Sequence, residues 1–197
     1  MSETRDTGQL LDTGQLLDTA RARHGFVIGL AGWSGSGKTT LAEQMIAGLT
    51  TRGLEVATIK HAHHGFDADK PGKDSYRHRA AGARQVVVSS QARSVLFTEN
   101  RDRGERRLEE LLDALSPADI VIVEGYKREP IPKIEIFRLA TGKPPLFTTD
   151  PRIIAVATDD ASALPTTPPH LLDLNDVGSI IAYICELTGT GTIAAAS

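Results

Sequence analysis

The sequence predicts a three-layer α/β/α fold in which helices cover both faces of a mostly parallel β-sheet. Three observations lead to this prediction. Apolar stretches rich in β-branched residues alternate with helical patterns along the chain, which is typical of parallel sheets. The first stretch runs into a glycine-rich loop and then an amphipathic helix. A later stretch over 119–123 is almost wholly apolar, as a strand buried on both faces should be.

The composition excludes several classes of protein. Charged residues make up 24% of the 197 residues and the net charge is −3, so nothing indicates binding to nucleic acid. No apolar run has the length of a membrane-spanning helix, and the N-terminus lacks the apolar core of a secretory signal. A single cysteine, Cys185, rules out an internal disulfide and fits a reducing compartment. We therefore expect a cytoplasmic protein that binds neither nucleic acid nor membrane.

The glycine-rich loop over 32–40 matches the pattern G-x-x-x-x-G-K-[ST]. A strand predicted over 26–31 precedes it, and a helix with apolar residues at helical spacing from Leu41 to Leu49 follows it. This is the context that a P-loop requires. Glycines allow successive backbone N–H groups to turn toward one phosphate, and the helix adds the positive end of its dipole. The predicted fold is therefore that of a P-loop NTPase.

Two residues of this loop have specific expected roles. Lys38 can reach the β- and γ-phosphate oxygens and is a candidate catalytic residue, and the Thr39 hydroxyl can hold Mg²⁺. The alternative is a glycine-rich turn that binds nothing, but such a turn would need neither Lys38 nor Thr39. The residues expected to bind the triphosphate are Gly32, Ser34, Gly35, Ser36, Gly37, Lys38, Thr39 and Thr40.

The remaining elements follow from hydrophobic periodicity and turn residues. In chain order they are a strand over 56–61, a loop over 62–73, a helix over 74–81, a hairpin of strands over 85–90 and 94–97, a helix over 105–115, a strand over 119–123, a strand over 133–139, a strand over 153–158, a proline-rich loop over 165–169 and a helix over 175–187. Apolar and polar residues alternate over 133–139, so we expect this strand to be half exposed at a sheet edge.

The two ends of the chain differ from the predicted domain over 26–188. Residues 1–25 contain the hexamer Asp-Thr-Gly-Gln-Leu-Leu twice in tandem, at 6–11 and 12–17. The repeat is too short for a solenoid and its glycines weaken a helix, so we predict a flexible extension. Residues 189–197 are small, and we predict a frayed tail.

Glu124 ends the buried strand over 119–123. Because P-loop proteins place a metal-binding or water-orienting carboxylate at such a strand end, Glu124 is a candidate catalytic residue and Mg²⁺ ligand. It stands where Asp is usual, so it could bind the metal directly or through a water. The alternative is an exposed loop glutamate.

The segment over 60–84 combines basic, acidic and histidine residues after a predicted strand. We interpret it as a switch-like loop in which Lys70 and Lys73 approach phosphates and Asp67 or Asp69 approaches Mg²⁺. His63 is a further candidate for nucleotide binding. The alternatives are a zinc site, because three histidines cluster at 61, 63 and 64, or a solvated charged loop.

Two further features concern base specificity and the class of reaction. Asp159 follows the late buried strand over 153–158 and could read a nucleotide base, although an aspartate there is often a turn residue. A group of arginines could form a phosphate-sensing lid, as in small-molecule kinases, or a solvated helix start. These arginines are Arg101, Arg103, Arg106 and Arg107.

Several motifs occur together in an order that resembles the MobB family of molybdopterin-guanine dinucleotide biosynthesis adapter proteins. They are Gly32-Trp33-Ser34-Gly35-Ser36-Gly37-Lys38-Thr39-Thr40-Leu41, Ile59-Lys60-His61 with His63-His64, Asp69-Lys70-Pro71-Gly72-Lys73-Asp74-Ser75, Ala81-Gly82-Ala83, Val123-Glu124-Gly125-Tyr126-Lys127 and Pro130-Ile131-Pro132-Lys133-Ile134. The resemblance covers about residues 26–187. The hexamer repeat departs from it, because the family usually starts at the first strand.

The resemblance implies a homodimeric P-loop protein that binds GTP and hydrolyses it weakly with Mg²⁺. Such a protein would assist a guanylyltransferase that attaches GMP to molybdenum-bound molybdopterin, and molybdopterin is a further candidate ligand. The phosphate-binding role carries over to Gly35, Ser36, Gly37, Lys38, Thr39 and Thr40. A small-molecule kinase remains the alternative; it should turn over quickly with an acceptor and need no protein partner.

Overall fold

A computed structural model of the chain describes residues 23–62 and 65–189. The helices are α1 (Lys38–Thr51), α2 (Asp74–Ala80), α3 (Leu108–Ala114) and α4 (Val177–Thr188). The strands are β1 (Phe26–Ala31), β2 (Val56–Lys60), β3 (Gln85–Ser89), β4 (Ser94–Thr98), β5 (Ile120–Glu124), β6 (Lys133–Phe137), β7 (Ile153–Thr158) and β8 (Leu171–Asp173). Of the described residues, 23–61 and 111–189 form one compact unit, and 62 with 65–110 form a second.

The first unit is built on a six-stranded sheet with the order β2-β5-β1-β6-β7-β8. Every neighbouring pair in it is parallel, so the predicted α/β fold with a mostly parallel sheet is confirmed. β1 lies between β5 and β6, with Leu30 opposite Glu124. The carboxyl ends of these strands therefore meet at one edge of the sheet, where ligands bind in open α/β folds.

Alternate residues of the strands form the core against α1 and α4. Phe26, Ile28 and Leu30 of β1 belong to the same buried cluster as Met45 and Leu49 of α1. Burial of a large aliphatic side chain contributes about 1.5–3 kcal/mol, so the period of two along β1 fixes both its register and the face that carries α1. The start of α1, and with it the glycine-rich loop, is thereby held at the end of the central strand.

The edge position predicted for β6 is wrong. β6 lies between β1 and β7, and all of its residues are buried. Its polar side chains have partners inside the protein: Lys133 Nζ lies 3.0 Å from Asp150 Oδ2, and Glu135 accepts hydrogen bonds from the backbone N–H groups of Leu146 and Phe147 at 2.7 and 2.8 Å. The alternation therefore reflects internal pairing of polar groups and not exposure to solvent.

Three further features of the fold are an additional strand, a later helix start and a helix cap. The short strand β8, which adds one edge of the sheet, was not predicted, because it has three residues and follows a proline-rich stretch. α3 begins at Leu108, later than the predicted start at 105. α4 is capped by Asp176, whose carboxylate accepts a hydrogen bond from the Ser179 N–H at 3.1 Å. The helix was predicted to begin at 175, so the cap lies within one residue of that start.

Contacts with the sheet unit begin before β1. Arg23 Nη2 donates to the carbonyl of Leu115 at 2.7 Å, and His24 is buried with Nε2 3.0 Å from the carbonyl of Leu112. The Gly25 N–H donates to the carbonyl of Ala118 at 2.9 Å. The hexamer repeat and the tail from residue 190 lie outside the described residues, so the two terminal boundaries stay predictions.

The second unit contains α2 and the antiparallel hairpin of β3 and β4, which confirms the predicted hairpin. A central feature is Arg79, which is paired with three carboxylates: Asp67 at 2.9 Å, Asp69 at 3.0 Å and Glu99 at 2.6 Å. Its guanidinium also lies over the Phe97 ring at 5.2 Å. Arg79 therefore ties the loop before α2 to the end of the hairpin.

Across the ranges 23–62 and 65–189, no helix has both the length and the apolar character needed to cross a membrane.

Candidate functional site

The glycine-rich loop joins the central strand β1 to α1, as predicted. Gly32 shows why glycine is needed there: its φ is +139°, and a Cβ would lie 2.5 Å from the Ile136 carbonyl oxygen and 2.7 Å from Ser36 Oγ. Gly35 and Gly37 also have positive φ angles of +81° and +97°. The three glycines thus give the loop a backbone path that L side chains rarely adopt.

Lys38 lies folded over this loop. Its Nζ donates to the carbonyls of Gly32 and Trp33 at 3.1 and 2.8 Å. Burial lowers the pKa of Lys38, and the neighbouring ammonium groups of Lys127 and Lys60 lower it further, while Glu124 opposes them. The loop is therefore a place where several cations crowd together, and an anion bound there would relieve their mutual repulsion.

The Ser36 side chain, in the glycine-rich loop, carries a buried hydroxyl that bears on which ligand the loop fits. It is 1% exposed, and its hydroxyl oxygen has no hydrogen-bond partner among the described residues. A buried hydroxyl without a partner costs free energy. A Cβ on the neighbouring Gly35 would meet nothing within 4 Å, so the tip of the loop is open. An open, positively charged loop with an unused hydroxyl fits a phosphate-bearing ligand.

The side chains of Thr39, in the first turn of α1, and Glu124, at the end of β5, are in contact. Thr39 Oγ1 donates to Glu124 Oε1 at 3.0 Å. A hydroxyl and a carboxylate are hard oxygen ligands of the kind that Mg²⁺ prefers, so the pair fits that ion. Lys60 contacts both groups, with Nζ 3.2 Å from Thr39 Oγ1 and 3.3 Å from Glu124 Oε2.

The backbone explains why Lys60 and Glu124 meet. The two residues are direct partners in the parallel pairing of β2 and β5, and the His61 N–H continues the ladder to the Glu124 carbonyl at 2.8 Å. Gly125 follows with φ +98°, and a Cβ there would lie 2.7 Å from His61 Cβ. Glycine at 125 therefore allows the two strand ends to stay close.

Asp159 is linked to the loop through Arg138. Arg138 Nε donates to the Ser36 carbonyl at 3.1 Å, and its Nη1 pairs with Asp159. Arg138 follows β6 directly and Asp159 follows β7 directly, so adjacent parallel strands deliver both side chains to the same edge. The structure thus places Asp159 one side chain away from the glycine-rich loop.

Trp33, within the loop, is held by a neighbouring segment. Its indole N–H donates to the Pro144 carbonyl at 2.7 Å. The ammonium groups of Lys127 and Lys143 lie 4.8 and 6.0 Å from the ring centre. At 4.8 Å, Lys127 is well placed for a cation–π interaction with the ring. Sequence reasoning gave no role to Arg138 or Lys127. Their positions in the sequence could have indicated a role, because Arg138 follows β6 directly and Lys127 comes shortly after β5.

The second unit holds four of the other predicted site residues. Asp67 and Asp69 both accept hydrogen bonds from Arg79. The bond from Arg79 holds the pKa of Asp67 below its usual value. At Asp69 burial acts in the opposite direction, but bonds from Ser75 and Arg79 keep its pKa low. The assignment of both carboxylates to Mg²⁺, and of Lys70 and Lys73 to phosphates, stays a prediction.

The two alternatives raised by the sequence have these outcomes. His63 and His64 lie outside the described residues, and the described part of the chain contains no group of three or more His, Cys, Asp or Glu that could hold a metal ion. In the second unit Arg101 bonds to the Gly82 carbonyl, and Arg106 Nη2 donates to the Glu110 carbonyl at 3.0 Å. The side chains of two of the four proposed lid arginines are thus bonded to backbone carbonyls of the second unit.

Comparison with known proteins gives consistent results. The sequence model of the family described as molybdopterin guanine dinucleotide synthesis protein B, or MobB, matches residues 27–159. The molybdopterin-guanine dinucleotide biosynthesis adapter protein of Escherichia coli (strain K12) is 44% identical over 163 residues, which are 81% of this chain and 91% of that protein. The protein of the same name from Haemophilus influenzae is 39% identical over 163 residues, or 80% and 86% of the two chains.

Solved structures extend the comparison to the fold. The crystal structure of a MobB protein homolog from Bacillus stearothermophilus superposes with a TM-score of 0.61 at 26% identity, covering 83% of this chain and 98% of that one. A crystal structure of molybdopterin-guanine biosynthesis protein B gives a TM-score of 0.64 at 26% identity, covering 82% and 99%. Fold and sequence therefore point to the same group of proteins.

Proposed function

This chain belongs to the MobB family, and we propose that it is a GTP-dependent adapter in the biosynthesis of molybdopterin-guanine dinucleotide. In this proposal the protein binds Mg·GTP and assists a guanylyltransferase that attaches GMP to molybdopterin. The observation that carries the nucleotide part is the P-loop, in which Lys38 is folded over the loop backbone and Thr39 bonds to Glu124. The names of the curated relatives support the adapter part.

The phosphate groups would be bound by the loop. Lys38 would exchange its contacts with the Gly32 and Trp33 carbonyls for phosphate oxygens, because an ionic hydrogen bond is stronger than a bond to a neutral carbonyl. The buried Ser36 hydroxyl and the backbone N–H groups at the start of α1 are further donors. Mg²⁺ would be held by Thr39 and Glu124, and when bound it would neutralise phosphate charge.

Guanine specificity is assigned in this proposal to Asp159. A carboxylate has two acceptor oxygens, and the N1–H and N2–H groups of guanine are two adjacent donors, whereas adenine lacks this pair. Arg138 supports the role because it holds one end of the Asp159 carboxylate while bonding to the Ser36 carbonyl. Arg138 would thereby link the residue that reads the base to the loop that binds the phosphates.

Weak hydrolysis is part of the proposal, with Lys38 and Glu124 as the catalytic candidates. In the loaded state the Glu124 carboxylate, which already bonds to Thr39, would be taken up by Mg²⁺. A carboxylate so engaged orients a water poorly, since general-base catalysis needs a direct approach to the proton taken. We therefore expect slow GTP turnover by the isolated protein.

The experiment compares an adapter with a kinase. GTP hydrolysis is followed in single turnovers with the protein alone and with added guanylyltransferase and molybdopterin. We expect slow hydrolysis alone and, at the same GTP concentration, a higher yield of guanylated product with this protein than without it. Rapid phosphate transfer to a small-molecule acceptor, with no effect on the guanylyltransferase, would contradict the proposal.

Assembly and location complete the proposal. We infer a homodimer, and the cross-strand pair Val87 and Leu96 on the hairpin supports it, since these residues are 66% and 50% exposed and exposed apolar surface often marks an interface. Sedimentation velocity of the full chain tests the dimer. The cytoplasmic location expected from the sequence stays a prediction.

A further inference from the structure

A third side chain already joins the two groups assigned to Mg²⁺. Lys60 Nζ lies 3.2 Å from Thr39 Oγ1 and 3.3 Å from Glu124 Oε2. Thr39 Oγ1 also donates to Glu124 Oε1 at 3.0 Å, so the three groups form a closed triangle of contacts. A cation of the protein itself therefore occupies the neighbourhood of both oxygen ligands that a metal would use.

This triangle is set by the backbone. Lys60 and Glu124 are the last residues of their strands and lie directly opposite each other in the parallel ladder. Neighbouring strands are about 4.8 Å apart, so side chains at paired positions meet. β2 is an edge strand of the sheet. The Lys60 side chain is 58% exposed and has room to swing away, whereas that of Glu124 is only 15% exposed.

The difference in exposure suggests what the contact does. A carboxylate largely removed from water is costly unless a positive charge or hydrogen bonds compensate it. The Lys60 ammonium and the Thr39 hydroxyl supply that compensation and hold the carboxylate in one orientation. Because two cations repel each other strongly at short range, a metal ion could not bind the same oxygens while the ammonium stays in place.

We propose that Lys60 is a displaceable counter-ion that compensates the charge of Glu124 while no metal is bound and moves aside when Mg²⁺ enters with the nucleotide. This inference rests on the proposed nucleotide function. Lys60 is a positioning residue here, because it acts through Thr39 and Glu124. It follows that the apparent affinity for Mg²⁺ is set partly by competition with Lys60.

The test measures how GTP affinity depends on Mg²⁺. GTP is titrated into the full chain at a series of MgCl₂ concentrations and in EDTA, with the fluorescence of Trp33, the only tryptophan, as the signal. For Lys60→Met, the MgCl₂ concentration that gives half of the increase in GTP affinity should be about three- to fivefold lower than for the wild type. This is the change expected for loss of one exposed ion pair. In EDTA the same variant should bind GTP more weakly than the wild type, because the charge of Glu124 is then uncompensated.

Two further variants make the result specific. Lys60→Arg keeps the cation and should keep the wild-type Mg²⁺ midpoint. Lys143→Met removes a positive charge near Trp33, 6.0 Å from its ring, but in the described part of the chain Lys143 has no bond to Thr39 or Glu124. It should therefore leave the Mg²⁺ midpoint unchanged.

The possible failures can be told apart. If Lys60→Met binds GTP with the same or a higher Mg²⁺ midpoint than the wild type, Lys60 does not compete with the metal and the inference is overturned. Equal weakening of GTP binding by Lys60→Met in EDTA and in Mg²⁺ would make Lys60 a direct phosphate ligand and overturn it as well. Absence of GTP binding by the wild type at every Mg²⁺ concentration would instead refute the proposed function.

Discussion

Replacement of Asp150 by Asn should destabilise the first unit, because it leaves the ammonium of Lys133 buried without its counter-ion. The Lys133 side chain is 2% exposed and its Nζ lies 3.0 Å from Asp150 Oδ2. Asn keeps an oxygen for the bond that Asp150 Oδ1 accepts from the Arg152 N–H at 3.0 Å, so the substitution removes mainly the charge.

The magnitude follows from the burial of the pair. Breaking a buried ion pair by removing one partner costs about 3–5 kcal/mol. The Asp150 side chain is 24% exposed, so water can approach the ammonium in part, and we expect a loss of about 3 kcal/mol. For a domain of this size that corresponds to a decrease in melting temperature of about 6–12 °C.

The assay is urea and thermal unfolding of Asp150→Asn, Lys133→Met and the double variant. The double variant should recover most of the loss, because no unpaired charge then remains in the core. If the single variant loses less than about 1 kcal/mol, or the double variant is no more stable than Asp150→Asn, our account of β6 is refuted.

The same pair has a pH signature. Burial opposes ionisation of Asp150, but the Arg152 N–H and the Lys133 ammonium hold its pKa below the usual value. A carboxyl with a lowered folded-state pKa stabilises the protein above its unfolded pKa, near 3.9, and loses that effect as pH falls through the folded value. The stability difference between wild type and Asp150→Asn should therefore be full at neutral pH and shrink in acid below about pH 4.

Three predictions concern the site. Glu124→Gln should bind GTP in EDTA at least as tightly as the wild type, because a negative charge near the phosphates is removed, and should raise the Mg²⁺ concentration needed for the half-maximal effect about tenfold; an unchanged midpoint would remove Glu124 from the metal site. Asp159→Asn leaves one acceptor for guanine and should weaken GTP binding about tenfold without affecting ATP, measured by calorimetry; equal changes for both nucleotides would count against base reading. Residues 66–75 should gain amide protection when Mg·GTP binds, whereas unchanged exchange there, with protection of 32–40, would mean that Arg79 alone orders this loop.

The sequence was sufficient for the parts of the fold that depend on local pattern. β5 was predicted because its residues are apolar and β-branched, and the turn into α1 because the P-loop pattern needs glycines. β6 could not be placed, since the alternation of Lys133 and Glu135 with isoleucines looks the same whether the polar groups face water or buried partners. Those partners lie in residues 146–150, and only the folded chain shows that they meet.

The site shows the same division. The strand-end position of Glu124 predicted its place beside the loop, and the structure puts it 3.0 Å from Thr39. The role of Arg138 was not visible from the sequence, because it depends on β6 lying next to β1 and on Asp159 following the neighbouring strand β7. The contact of Lys60 with Glu124 depends on strand order in the same way: the two residues are 64 positions apart in the chain but opposite in the ladder.

The central claim is that the P-loop of this protein binds GTP, and the most direct measurement is isothermal titration of GTP in Mg²⁺ with the wild type and with Lys38→Ala. We predict one GTP per chain for the wild type. For the folded variant we predict a loss of affinity of at least about 100-fold, since Lys38 would make two ionic hydrogen bonds to phosphates worth together about 3–6 kcal/mol. GTP binding of equal affinity by Lys38→Ala and the wild type would contradict the account.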